Sequence, residues 1–496
     1  MERFIMAIDA GTTGIRCILF DREGRVRSTA HRSCHQTFPR DGWVEMEGAE
    51  IWSGTLACVV EAMARAEIAG TQVAAVGITN QRETVLAWER ATGTVIGPAI
   101  VWQCRRTAAD CEALIRDGKG PLIREKTGLW PDAYFSATKL RWMMENVPGL
   151  AKRAKAGEIC FGTVDSYLLY RLSGCRVHAT DVSNASRTML FNIHTLCWDA
   201  ELLELFGIPA ETLPEVKPSS GYFGETDLPA FGAAVPVLGI AGDQQAALFG
   251  QCCFAEGMVK NTYGTGGFLL MNTGAHPLAE ENGLLSTVAW QIGDKVTYAL
   301  EGSVFICGAA VQWLRDGMRL LESEKDSAYM AGKVPDCGGV YVVPAFSGLG
   351  APYWDPYARG LVIGITRATN KYHLIRATLE AMAYQTADVL GCMEKARGGP
   401  PSALRVDGGA STNDLLLQFQ ADILHLPVQR PACIESTARG AAYLAGLAAS
   451  FWPDFETLEG MYRNSAVFSP QMPEEERTHR YALWRKAVER AMAWKE

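Results

Sequence analysis

FIMAIDAGTTGIRCILF, residues 4–20, sets two apolar runs on either side of the turn DAGTTG. Phe4 to Asp9 and Ile15 to Phe20 read as short strands, and the glycines and hydroxyls between them predict a β-hairpin. The pattern returns in the second half of the chain. Val259 to Thr262, the turn YGTGG and Phe268 to Asn272 have the same shape, so the spacing reads as an internal duplication. Backbone N–H groups in such turns can cradle phosphate, and Asp9 at the first turn can hold the hydration shell of a magnesium ion.

Around the hairpins, helical and strand patterns alternate. Ala49 to Ala66, Trp102 to Arg116, Ser136 to Glu145, Gly308 to Leu321, His373 to Cys392, Asn413 to Leu424 and Thr437 to Ala449 have helical spacing. Val73 to Thr79, Val340 to Pro344 and Ala403 to Asp407 are β-rich. Alternation of this kind predicts an α/β fold. A chain of 496 residues is too long for one ordinary core. The repeated hairpin places the division near Gly250, giving domains 1–250 and 251–496.

Composition narrows the function. Hydrophobic residues are 48%, charged residues 21% and the net charge is −8, so no basic field exists for nucleic acid or anionic membrane. The 14 cysteines form no CxxC spacing, which removes support for zinc or dithiol chemistry. No signal-peptide core and no run of roughly 20 apolar residues is present, so a cytoplasmic, reduced protein is expected. There is no GxxxxGK[ST] loop, GxGxxG after a strand, HExxH or GxSxG either. A nucleotide must be held by another device, and two phosphate-compatible hairpins supply one.

Five denser clusters carry side-chain chemistry. NQRET (Asn80 to Thr84) puts a cation beside an anion at a strand end, and WQCRRT (Trp102 to Thr107) adds an aromatic face. AGDQQAALFG (Ala241 to Gly250) sets Asp243 and two amides between an apolar strand and a helix. VDGGASTND (Val406 to Asp414) offers backbone donors at a helix start, and LGAPYWDPYARG (Leu349 to Gly360) is a Gly/Pro/aromatic loop. A lone Asp243 would be read as a helix N-cap; in this company it is also a candidate base.

With these motifs the chain resembles the FGGY family of carbohydrate kinases, within the actin-like ATPase superfamily. YFSATKLRWMMEN (Tyr134 to Asn146) and GLVIGITRATNKYHLIRATLE (Gly360 to Glu380) are similar to the family's two signatures, and the likeness runs from Met6 to about Trp494. The resemblance implies two actin-like (ribonuclease H-like) ATPase domains flanking a cleft. It implies ATP and Mg2+ as cofactors, glycerol as the small-molecule substrate, sn-glycerol 3-phosphate as product, and a homo-oligomer without membrane insertion. Arg82, Glu83, Tyr134, Asp243 and Gln244 would bind the hydroxyls, with Trp102 and Phe268 over the carbons and Asp243 as general base. Thr12, Thr13, Arg16, Thr265, Gly308, Gln312, Gly409 and Asn413 would meet the nucleotide, and Asp9 would hold magnesium through water.

The chain departs from the family pattern at Ala10, where Gln is usual, and at Gly14 and Ile15, where Ser-Ser is usual. A nucleotide contact at position 14 must then come from backbone. Competing readings are a kinase of a longer substrate such as erythritol or xylulose, and a non-catalytic actin-like ATPase. Trp102 and Phe268 weigh against the first, Asp243 and the polyol cluster against the second.

Overall fold

Every side chain of Phe4–Ala10 (β1) is buried, which requires a strand covered on both faces. In the computed structural model, which describes residues 2–278 and 283–495, β1 lies inside a large mixed sheet. It pairs antiparallel with Gly14–Phe20 (β2), Ala10 opposite Ile15, and β2 pairs antiparallel with Val26–Ser33 (β3). On its other side β1 runs parallel to Val73–Asn80 (β4). Ser220–Glu225 (β5) and Pro236–Gly242 (β6) extend this half, β6 parallel to β4 and β5 antiparallel to β6.

The second half repeats the plan. Its strands in this sheet are Val259–Tyr263 (β7), Gly267–Gly274 (β8), Leu285–Ile292 (β9), Lys295–Val304 (β10), Leu404–Asp407 (β11), Val428–Pro431 (β12) and Asn464–Phe468 (β13). The orders β3-β2-β1-β4-β6 and β10-β8-β7-β11-β12 have matching orientations at each step. The two hairpins therefore occupy equivalent places, as a duplication requires. One parallel pairing, Ser220 with Ile292, joins β5 to β9 and makes a single sheet of 13 strands.

Helices cover the sheet: Gly48–Ala66 (α1), Ser136–Asn146 (α2), Asp243–Gly250 (α3), Gly308–Asp316 (α4), Lys371–Arg397 (α5), Asp414–Leu424 (α6) and Ser436–Ala448 (α7) among others. The last of these, α7, belongs to the second half in sequence but lies on β4 and β6 of the first, beside α3. Its approach depends on missing side chains. A Cβ at Gly77 would stand 2.2 Å from the Ala441 carbonyl oxygen, and one at Gly440 only 1.8 Å from that of Ala246. One buried cluster is consequently shared between the halves, with Ile5, Phe20 and Phe249 against Tyr443, Leu444 and Trp452.

Two expected helices are shorter than their sequence patterns. The helix expected from Trp102 starts at Ala108, because Trp102 is drawn out of helical geometry: its N–H donates to Thr84 Oγ1 and its indole N–H to Thr12 Oγ1. The one expected to reach Leu321 ends at Asp316, where Gly317 follows and Arg319 takes a φ of +54°. In the other direction, α5 outruns its expected limits, with Asn370 accepting from the Tyr372 N–H at one end and left-handed Gly398 at the other. Among the described residues no helix is long and apolar enough to cross a membrane.

Candidate active site

The residues expected at the polyol end converge. Arg82, Glu83, Trp102, Tyr134, Asp243, Gln244 and Phe268 line one cavity of about 310 Å³, and Thr12, Thr13 and Thr265 from the two hairpin turns open onto it. Gln36, Gln103 and Gly266 complete the lining. The placement follows from the strands: Arg82 and Glu83 follow the carboxyl end of β4, and Asp243 and Gln244 follow that of β6. Ligands collect where parallel strands end in this way. Glu83 holds a φ of +59°, a strained value for a residue with a side chain, and such strain concentrates at functional sites.

Arg82 is the hub. Its guanidinium donates to Glu301 Oε2 at 2.5 Å and Oε1 at 3.0 Å, to Gln245 Oε1 at 3.2 Å and to the Tyr134 hydroxyl at 3.3 Å. Its Nε stands 3.2 Å from Asp243 Oδ1. Arg187 closes the circuit, donating to Glu83 Oε1 at 2.7 Å and Glu301 Oε1 at 2.9 Å. Glu301 comes from β10 in the second half, while both arginines come from the first, so Arg82 is locked by the opposite half. Trp102 meets Tyr134 and Phe268 edge to face, with ring centroids 5.5 and 6.2 Å away, forming an apolar wall.

Burial and charge set the protonation. Burial pushes Glu301 up, but Arg187 and Arg82 outweigh it and hold the carboxyl down at about 2. Asp243 goes the other way: burial raises it above the usual carboxylate range, with Arg82 and then Lys260 opposing. Gly242 is the N-cap of α3 and makes no side-chain capping bond; Asp243 stands in the first turn and accepts from the Gln244 N–H at 2.7 Å. Lys139 of α2, fully buried, donates to the carbonyls of Tyr134 at 2.5 Å and Glu83 at 3.3 Å and so ties two substrate-side segments together.

The end expected to meet the nucleotide is more open. Thr13, Thr265, Gln312 and Gly409 are exposed, and the Gly264 and Thr265 carbonyls accept from N–H groups at the start of α4, Gly308 included at 3.0 Å. Arg16 donates to Glu435 at 2.6 Å, a contact between the halves. Asn413 caps α6 through Leu416 N–H at 3.1 Å and donates to Ser327 Oγ at 3.3 Å. Asp9 is nearly buried, and no protein donor among the described residues bonds its carboxylate; burial pushes it up to about 7, Arg16 opposing and Asp243 and Glu435 adding. Among the described residues no three His, Cys, Asp or Glu side chains gather to hold a metal. A lone, unpartnered carboxylate beside a phosphate turn fits magnesium, which keeps several waters and takes few protein ligands.

Glu301, Arg187 and Lys260 escaped the sequence motifs, whereas Gln245 is the second amide of AGDQQ. Lys260 and Glu301 carry one usable signal: each is a charge inside a β-rich run, Lys260 next to Val259 and Glu301 after Ala299 and Leu300, a placement tolerated when buried only with a partner.

Residues 4–250 match the N-terminal domain and residues 259–449 the C-terminal domain of the FGGY family of carbohydrate kinases. The chain is 57% identical over 494 residues to a glycerol kinase of Carboxydothermus hydrogenoformans, covering 99% of each protein. It is 53% identical over 494 residues to glycerol kinase 2 of Thermotoga maritima, covering 100% of each. Among solved structures, glycerol kinase of Plasmodium falciparum with ADP superposes with a TM-score of 0.92 at 33% identity, covering 99% of this chain and 98% of that one. A ligand-bound xylulose kinase of Lactobacillus acidophilus gives 0.88 at 21% identity over 98% and 97%, a likeness of fold alone. Both family halves in order, with relatives this similar over the whole length, make the chain a member of the FGGY family of carbohydrate kinases.

Proposed function

We propose that this protein transfers the γ-phosphoryl group of ATP to a terminal hydroxyl of glycerol, giving sn-glycerol 3-phosphate. The observation that carries this is the charged floor of the cavity: Asp243 is held 3.2 Å from Arg82, under an aromatic wall, in a space that both hairpin turns face. A triol offers hydroxyls and a short carbon chain, so it needs charged hydrogen-bonding partners and one apolar side. Arg82, Glu83, Tyr134, Asp243 and Gln244 supply the first, Trp102 and Phe268 the second. The name carried by the relatives at 53–57% identity supports the same substrate.

Asp243 acts as the general base in this reading. Its carboxylate takes the proton of the attacking hydroxyl as the oxygen bonds to phosphorus and the bond to the ADP oxygen breaks. Thr12, Thr13 and Arg16 on the first hairpin and Thr265 on the second hold the phosphates, and Gly308, Gln312, Gly409 and Asn413 border the rest of the nucleotide. Magnesium bound near Asp9 would neutralise phosphate charge. Closing the halves, residues 1–250 and 251–496, excludes water that would otherwise hydrolyse ATP. Reading ADP release with and without glycerol, erythritol or xylulose tests the assignment. Glycerol-dependent release with a clear kcat/KM advantage over the longer substrates is expected; equal rates on xylulose, or release indifferent to glycerol, would overturn it.

A further inference from the structure

Lys260 is the second residue of β7 and has no exposure, a costly place for a charge. An ammonium has three donors and no acceptor. All three are in use: Gln244 Oε1 at 2.5 Å, Thr262 Oγ1 at 2.9 Å and the Phe268 carbonyl at 3.2 Å. The saturation has a consequence for Gln244. Since the ammonium can only donate, the Gln244 atom facing it is the carbonyl oxygen, and the amide nitrogen points away. Gln244 lines the cavity next to Asp243, and its Nε2 has no partner among the described residues.

We infer that Lys260 is a positioning residue for the polyol end: by holding Gln244 Oε1 it presents Nε2 as a hydrogen-bond donor to a substrate hydroxyl oxygen, beside the acceptor Asp243. The inference rests on the polyol-kinase function proposed above. A free glutamine could turn its amide over and offer oxygen instead. Lys260 removes that choice, so the cavity presents one acceptor and one donor side by side, a match for a hydroxyl that gives its proton to one neighbour and receives a bond from another. Lys260 lies across the halves from Gln244, β7 against the start of α3, so the donor is aimed only while the two are docked. A purely structural lysine would do no more than offset the buried charge of Asp407, Asp243 and Glu301 around it.

The test uses the full chain. Lys260→Met and Gln244→Ala are made singly and together, and kcat/KM for glycerol, KM for ATP and Tm are measured. Each single change is expected to lower kcat/KM for glycerol about 10–100-fold, the cost of losing an oriented hydrogen bond in a buried site. The double variant should be no worse than the worse single one, and KM for ATP should stay within about twofold. Additive losses, or a Lys260→Met that lowers Tm and leaves glycerol kinetics alone, overturn the inference. Gln244→Glu covers the case in which Lys260→Met fails to fold. It turns the contact into an ion pair, keeps the fold and replaces the donor by an acceptor, so glycerol kcat/KM should fall by a similar factor; unchanged kinetics again overturn it. Wild-type ADP release is run alongside: none with glycerol removes the proposed function itself, whereas normal release with additive variants removes only the role of Lys260.

Discussion

The two ends of the cleft handle charge in opposite ways. At the polyol end Arg82, Glu83, Arg187 and Glu301 are 0–2% exposed and bonded to one another. At the nucleotide end Thr13, Thr265, Gln312 and Gly409 are exposed, and the turns offer mainly backbone. The first cluster is assembled when the chain folds; the second leaves its polar groups open to solvent. Substitutions in the Arg82–Glu83–Arg187–Glu301 network should therefore disturb folding and function together, and those at the open end should separate them.

The largest effect is expected where the two ends meet. Asp243→Asn should lower kcat by about 10²–10⁴, the contribution of a positioned base. Stability should change little, because an asparagine Oδ1 can still accept from the Gln244 N–H, and the N-cap is Gly242. Measuring kcat and Tm on one preparation decides the point: a loss of about 1 kcal/mol in stability with catalysis intact would mark Asp243 as a capping residue instead.

Next comes Glu301→Gln, which tests whether the polyol end is preassembled. Two buried guanidiniums lose the carboxylate they share, Glu83 and Asp243 remaining, and breaking such a network costs about 3–5 kcal/mol. Acid titration adds a signature. The folded Glu301 carboxyl is depressed to about 2 from an ordinary 4.5, so its stabilisation is fully present above 4.5 and is lost as pH falls through 2. Between pH 6 and 3.5 this removes about 1 kcal/mol from the wild type and nothing from the variant. Urea unfolding at the two pH values reads the difference, and parallel losses would contradict the ionised network.

How much of this was legible in the sequence depended on range. Hairpins, strand ends and the Asp243 turn are local patterns, and they stand where the spacing put them. The lock on Arg82 is not local: Glu301 lies 219 residues away, and the pairing exists only after the sheet has formed. Such a charge shows in the sequence as an oddity in a β-rich run, which does not name its partner. The late start of the helix expected from Trp102 has the same cause, since hydrogen bonds to Thr84 and Thr12 outweigh local helical preference. The crossing of α7 onto the first half was equally hidden, because Gly77 and Gly440 look like ordinary small residues until two backbones approach through them.

The smallest effect sharpens the comparison at the open end. Family resemblance gives Asn413 to the nucleotide, yet its side chain is already committed, Oδ1 to the Leu416 N–H and Nδ2 to Ser327 Oγ. Any contact with ATP must then come from its backbone or from the side-chain capacity left over, one Nδ2 hydrogen and one Oδ1 lone pair. Asn413→Ala should cost about 1 kcal/mol of stability, the usual value of an N-cap. KM for ATP should rise by less than about threefold, since little uniform binding is removed. Asn413→Asp restores the cap acceptor but not the donor to Ser327, so it should recover most of the stability while KM for ATP stays where it was. An alanine variant with normal stability and a KM for ATP raised tenfold or more would put the side chain on the nucleotide after all. In that case this residue, unlike the rest of the open end, would leave its helix cap to meet the ligand.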